Sequence, residues 1–244
     1  MESKIDLKGL VGTDRLTEVE RIDPSALPDR RGYLPVKRVA DVMLSLADFA
    51  VLAVPMAVIA LAVKLDFYRQ ERLGKNGKPC QLVKFRSIRT DAEKARAQWA
   101  KEHNPRVTRM GHFMRACRLD ELPQVWGVVK GDLSLVGPRP ERTVFYEAFE
   151  KYILGFKHRL MVTLGITGLV QVNGGYELKP AEKIQYDVEY IKHQSLGMDI
   201  VILLRTAMAV LLGTKGLADK GLKSEFLPTY EGFRLVAGRM GRDC

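Results

Sequence analysis

Val39 to Val63 is a 25-residue run whose only charged residues are Asp41 and Asp48. A helical span of a bilayer needs about 20 apolar residues, so the run is long enough to cross. Three features argue against a simple crossing. Lys37-Arg38 precede the run and Lys64 and Arg69 follow it, so the positive-inside preference does not separate its ends. Pro55 lies inside it and removes a backbone bond, which bends a helix. Asp48 is costly in hydrocarbon unless it is paired, protonated or near an interface. A helix that enters, bends near Pro55 and returns satisfies all three and keeps both ends cytosolic. The competing reading is a buried core helix of a soluble protein, for which 25 residues is long.

The 244 residues suit one domain plus appendages, and a 46% hydrophobic content is ample for a core. The formal charge of +10 is regional. Residues 64–118 hold 15 Lys/Arg against 5 Asp/Glu, and the remainder of the chain cancels. Such a region meets anionic headgroups, phosphorylated substrates or nucleic acid, or is a solvated basic surface. Cys80, Cys117 and Cys244 show no metal spacing, and an odd count without a secretory signal points to reduced thiols. Cys117 lies close to Asp120, and packing is its expected role. Residues 1–32 are polar, mix acids with bases and are expected to be mobile, with no signal peptide.

The densest chemistry lies in Leu119-Asp120-Glu121-Leu122-Pro123-Gln124 and, 12 residues on, in the stretch Gly131-Asp132-Leu133-Ser134-Leu135-Val136-Gly137-Pro138-Arg139-Pro140-Glu141. Adjacent acids repel, and a plain surface gains nothing from pairing them. A Mg²⁺ site gains, because Mg²⁺ prefers hard oxygen ligands. An Asp can also attack a phosphoryl group and carry it covalently. Arg139, in a turn restricted by flanking prolines, suits phosphate oxygens with its planar fork. The plainer alternative is an acidic pair at the positive end of a helix. Arg106, Arg109, Arg115 and Arg118 lead into the pair, as suits a site for pyrophosphate and a metal, or as surface ion pairs.

Around these stretches the pattern predicts a hairpin over residues 67–88, turning at Gly74-Lys75-Asn76-Gly77-Lys78. A capping box, Thr90 to Glu93, opens a charged helix to about His103 that carries Trp99. Residues 162–173 read as loop and short strand. Residues 180–193 are helical, with Ile184, Val188 and Ile191 on one face. Met198 to Leu212 is apolar except for Asp199 and Arg205; at 15 residues it is too short to span, and lies on a bilayer surface or in a core.

Five blocks in order carry a resemblance. They are Lys37-Arg38 through Asp41; Arg69-Gln70-Glu71-Arg72-Leu73-Gly74 to Lys84-Phe85-Arg86-Ser87; Leu119 to Gln124; Lys130 to Pro140; and Gly165-Ile166-Thr167-Gly168 to Gln171-Val172-Asn173-Gly174. Over roughly residues 33–213 the chain resembles the bacterial sugar transferases, the monotopic phosphoglycosyl transferases. The resemblance implies an α/β, mostly helical fold: a re-entrant membrane helix (33–66), then a cytosolic catalytic domain (67–213) with a small β-hairpin and surface amphipathic helices. Residues 214–244 are an extension without an assigned role. The chain is expected to be a short form, without the N-terminal four-helix membrane domain of many relatives.

The resemblance also implies transfer of a sugar 1-phosphate from a UDP-sugar to undecaprenyl phosphate at the cytosolic face of the bacterial inner membrane. UMP leaves, and the product feeds downstream glycosyltransferases of exopolysaccharide, capsule, O-antigen (lipopolysaccharide) or glycoprotein glycan assembly. Asp120 matches the attacking acid, which also helps bind the Mg²⁺ cofactor, and Glu121 matches the second acid. Arg139 matches the phosphate-binding arginine, and Arg86 and Arg118 are assigned with it to substrate phosphate. Asp132, Ser134, Gly137, Pro138 and Pro140 form the supporting loop, and Pro55 marks the membrane bend.

The chain departs from the family in places. Val54 stands where a serine commonly precedes the proline, and Thr163-Leu164 replace Arg-Pro or Lys-Pro. Gly175 stands where some relatives have a phosphate-binding arginine, leaving Tyr176 to stack on a base or sugar. Asn173-Gly174-Gly175-Tyr176 hints at hexose donors such as galactose or glucose. No nucleic-acid partner is expected, and a homodimer stays open. Two alternatives remain: a non-catalytic basic tether for anionic lipid or nucleic acid, and a metal-dependent hydrolase of UDP-sugars that needs no lipid acceptor.

Overall fold

The structure, a computed structural model, describes residues 17–18, 22, 31–64, 66–89, 107–174 and 178–219. The expected helix from Thr90 to about His103, with Trp99, and the Gly175-Tyr176 departure lie outside the described residues. Thr17–Glu18 (β1) is followed by Tyr33–Ala62 (α1), a 30-residue helix. Among the described residues α1 is the one helix long and apolar enough to cross a membrane. Its polarity is inverted. Val39, Val51, Val54 and Leu61 are 63%, 76%, 74% and 70% exposed, while Lys37, Asp41 and Ser45 are buried. Residues four apart share one helix face, so the buried stripe is polar and the outer faces are apolar. A helix on the surface of a soluble domain shows the reverse. Pro55 lies within α1, which continues through it to Ala62. A single proline removes one ladder hydrogen bond and leaves the flanking ones in place.

Phe67–Leu73 (β2) and Pro79–Phe85 (β3) form the expected antiparallel hairpin, in register from Phe67 opposite Phe85 to Leu73 opposite Pro79. Asn76 and Gly77 take φ of 57° and 74°, as the Asn-Gly pair favours. Arg109–Ala116 (α2) is N-capped by Thr108, whose hydroxyl accepts from the Gly111 N–H at 2.9 Å. A 3₁₀ turn, Leu119–Gln124, leads into Val125–Lys130 (α3) and then Ser134–Val136 (β4). Thr143–Glu150 (α4) and Ile153–Leu154 (β5) follow, and β5 pairs in parallel with β1. Ile22, also within the stretch expected to be mobile, is buried in the core.

Gly165–Thr167 (β6) pairs in parallel with β4. A short helix, Leu169–Val172 (α5), occupies part of the stretch expected to be loop and strand. Pro180–His193 (α6) matches its expected bounds, and Ile184, Val188 and Ile191 are buried together. Leu196–Asp219 (α7) runs 24 residues, longer than expected at both ends and across the boundary placed at residue 213. Ser195 starts it early: its hydroxyl accepts from the Met198 N–H at 3.3 Å and its carbonyl from the Asp199 N–H at 2.9 Å.

The core lies between α4, α6 and the β4–β6 pair. Phe149 packs edge-on against Phe156 at 5.2 Å and stacks with Phe145 at 5.7 Å. Arg159 and Asp187 form an ion pair at 2.7 Å within this core.

Candidate active site

Asp120 and Glu121 lie in the 3₁₀ turn and both are buried. The turn follows Arg118, a non-glycine residue held at φ 59°. That left-handed conformation is uncommon for a side-chain-bearing residue and ends α2 abruptly before the acids. Glu121 is gripped from two sides. Its Oε1 accepts from Lys84 Nζ at 2.6 Å and from Arg139 Nη2. Arg139 also donates from Nη1 to the Ile166 carbonyl at 3.0 Å, so its guanidinium bridges the 3₁₀ turn and β6. Asp120, by contrast, makes no hydrogen bond or ion pair with any described residue.

The two acids are therefore in opposite electrostatic situations. Burial alone would raise the Glu121 carboxyl, but Arg139 and Lys84 override it and hold the group well below the ordinary range. Burial raises the Asp120 carboxyl, and the neighbouring Glu121 charge raises it further; Lys84, Arg115 and Arg139 only partly offset this. On acidification Asp120 takes its proton first, while Glu121 stays ionised and keeps Arg139 in place. A carboxyl-carbon NMR titration of the metal-free protein is expected to place Asp120 above an ordinary Asp (about 3.9) and Glu121 below an ordinary Glu (about 4.3). The reverse order would contradict this division of roles.

The loop that carries Arg139 is held by close backbone approaches. The Gly137 N–H donates to the Thr167 carbonyl at 2.9 Å, and the Gly165 N–H donates to the Pro138 carbonyl at 2.8 Å. A Cβ on Gly137 would meet the Thr163 carbonyl oxygen at 2.6 Å, and one on Gly165 would meet the Gly137 nitrogen at 2.1 Å. Only glycine fits at this crossing. The Pro140 carbonyl accepts from Arg72 Nη1 at 3.3 Å. Ser134 is buried with its hydroxyl on Asp41, and Asp132 is exposed at the loop's entrance.

The remaining expected residues sit outside this contact set. Arg86 pairs with Asp66 at 2.7 Å and lies over the Tyr68 ring at 5.7 Å, at the base of the hairpin. Arg118 is exposed. Pro55 lies far along α1 with an exposed ring. Two residues in contact with the acids' neighbourhood were not among the assigned site residues, although Arg115 belongs to the arginine run that leads into the pair. Lys84 reaches Glu121 from β3, and Arg115, which bonds Ser87 Oγ at 2.9 Å, adds positive potential at Asp120. A signal for Lys84 existed: strand alternation puts it on the same face as Cys80 and Leu82, both buried.

The sequence profile of the bacterial sugar transferases matches residues 32–213. The chain belongs to that family. The transferase is 44% identical over 156 residues to a Bacillus subtilis relative, covering 62% of this chain and 87% of the relative. That relative's assignment, as an undecaprenyl-phosphate N-acetylgalactosaminyl 1-phosphate transferase, is itself provisional. It is 36% identical over 189 residues to the UDP-N-acetylgalactosamine-undecaprenyl-phosphate N-acetylgalactosaminephosphotransferase of Aeromonas hydrophila, covering 74% of this chain and 45% of the relative. It is 38% identical over 181 residues to the UDP-glucose:undecaprenyl-phosphate glucose-1-phosphate transferase of Escherichia coli, covering 70% and 39%. The chain thus spans less than half the length of these last two. The transferase is a phosphoglycosyl transferase by family, and the acids and arginine described above are its candidate active site.

Proposed function

We propose that the protein transfers a sugar 1-phosphate from a UDP-sugar to undecaprenyl phosphate, with Asp120 as a covalent carrier. One observation carries this: Asp120 is buried, unpaired by any described residue, and beside a Glu121 whose charge Lys84 and Arg139 already neutralise. A nucleophile held apart from partners needs no bond broken before it attacks. In the first step an Asp120 carboxylate oxygen attacks the sugar-bearing phosphorus. The bond from that phosphorus to the bridging oxygen breaks, and UMP leaves with the electron pair. In the second step an oxygen of undecaprenyl phosphate attacks the same phosphorus and releases the Asp120 carboxylate. Arg139 offsets the charge carried by the phosphate oxygens in both steps.

Mg²⁺ fits this donor set as an ion shared with substrate. Among the described residues no group of three or more His, Cys, Asp or Glu side chains could cage a metal. Mg²⁺ commonly binds one or two carboxylates and takes its other ligands from substrate phosphates and water. Asp120 would hold it, and the ion would supply charge neutralisation on the diphosphate.

The exposed apolar faces of α1 support its placement in a membrane, and the proposal is that it sits in the inner membrane as a re-entrant helix with the active site on the cytosolic side. Cysteines substituted at Val36 and Asp66 test this. Both are expected to react with a membrane-impermeant thiol reagent from the cytosolic side. Reaction of either one from the periplasm alone means that α1 spans.

The donor is proposed to be a hexose such as galactose or glucose. Relatives named for glucose, galactose and N-acetylgalactosamine donors all match this chain. The test is UMP release from a panel of UDP-sugars with Mg²⁺, with and without undecaprenyl phosphate. Sustained turnover is expected only with the lipid present. Sustained release without it would make the protein a hydrolase, and no release from any UDP-sugar would favour the basic tether.

A further inference from the structure

The chemistry above leaves one block of the sequence unused: Lys37-Arg38 and Asp41, on α1. Asp41 is buried, and both of its oxygens are engaged with β4. Oδ2 accepts from Ser134 Oγ at 2.7 Å and Oδ1 from the Leu135 N–H at 3.2 Å. Arg38, on the same side of the helix, donates to the Val128 and Val129 carbonyls at 2.5 and 2.8 Å. Those carbonyls belong to α3, the direct continuation of the turn that carries Asp120 and Glu121. β4 runs directly into Gly137-Pro138-Arg139. Two side chains less than one turn apart on α1 thus hold the two segments whose other ends meet at the Glu121–Arg139 pair.

The same face of α1 is fixed from a second direction. Asp199, at the start of α7, accepts from Lys37 Nζ at 2.8 Å and from the Tyr33 hydroxyl at 2.7 Å. Tyr190 Oη lies 2.8 Å from Asp199 Oδ1 and 3.2 Å from the Val136 carbonyl, which closes the network back onto β4. Simple neutralisation of a buried stripe would need only ions and hydroxyls paired with one another. Here the guanidinium ends on backbone carbonyls of one catalytic segment, and the carboxylate spans a backbone N–H and the Ser134 hydroxyl of the other.

We propose that Arg38 and Asp41 are positioning residues that set the separation between the Asp120–Glu121 turn and the Arg139 loop, so that the apolar helix is itself a structural part of the phosphate site. The inference rests on the reading of Arg139 as the phosphate-binding group. Its consequence is that seating α1 and aligning Arg139 are one event.

A double-mutant cycle on the full chain in lipid nanodiscs tests this, with the UDP-hexose turned over fastest and undecaprenyl phosphate. Asp41→Ala is expected to lower kcat about 30-fold with KM for the nucleotide sugar changed by less than about 3-fold, because a displacement of about 1 Å is enough to cost turnover. Asp41→Asn keeps an acceptor for the Leu135 N–H and should recover most of the loss. Asp41→Ala combined with Arg139→Lys should be no slower than Arg139→Lys alone, since the lost positioning then has nothing to position. If Asp41→Ala does not fold, Ser134→Ala removes the hydroxyl's bonds to Asp41 and to the Val136 carbonyl and replaces it in the cycle, with a loss of about 5-fold that Arg139→Lys again absorbs. Losses that multiply, as for a residue that only stabilises the fold, would overturn this inference alone, as would full activity of both Asp41→Ala and Ser134→Ala. Full activity of Arg139→Lys by itself would instead remove the phosphate-site reading, and this inference with it.

Discussion

Asp120→Asn is expected to lower turnover by ~10³-fold or more, on the order of 4 kcal/mol of barrier. The amide keeps the carboxylate's shape and removes its charge, so the attacking oxygen is lost while the turn is kept. Thermal stability should be unchanged or slightly raised, because the substitution removes a buried charge that burial and Glu121 both disfavour. A function–stability trade of this kind separates a nucleophile from a structural acid. Glu121→Gln is the informative contrast. It leaves Lys84 and Arg139 without their shared partner, so it should lower stability as well as activity.

Arg139→Lys is expected to cut turnover by ~10²-fold with membrane association unchanged. The guanidinium reaches Glu121 from one terminal nitrogen and the Ile166 carbonyl from the other. A lysine offers three donors on a single nitrogen and cannot bridge two anchors while facing a phosphate. Lys84 remains on Glu121 in this variant, so the carboxylate stays paired and the loss reports on phosphate recognition. Wild-type turnover by Arg139→Lys would reduce Arg139 to one charge among many in a basic region. Removing several bases from that region should weaken lipid binding whichever result is found.

Elements governed by local signals were readable from the sequence. The hairpin turns at Asn76-Gly77, where positive φ is needed, and α6 presents Ile184, Val188 and Ile191 at helical spacing. The two acids and Arg139 were legible as chemistry, and the structure brings Glu121 and Arg139 into contact across 18 residues. Less legible was what depends on long-range partners. Lys84 is 37 residues from Glu121, and Asp41 is 93 from Ser134; no local pattern announces either contact. A basic residue at an inward strand position and an acid in an apolar helix were the only hints, and each also has a plain surface reading. α7 outran its expected end because Gly213 and the residues beyond do not stop a helix already under way. Arg86, from a block of the resemblance, and Arg118, from the arginine run before the acids, are placed at the hairpin base and in an exposed left-handed position.

The covalent role of Asp120 is the centre of this account, and trapping the carrier tests it most directly. The protein is mixed with Mg²⁺ and a UDP-hexose radiolabelled in the sugar, without lipid acceptor, quenched in acid, and digested for peptide mapping. Label on the peptide containing Asp120 is expected for the wild type, discharged when undecaprenyl phosphate is added before the quench, and absent from Asp120→Asn. Turnover of the wild type with no label at Asp120, or turnover near the wild-type rate by Asp120→Asn, would contradict the covalent mechanism.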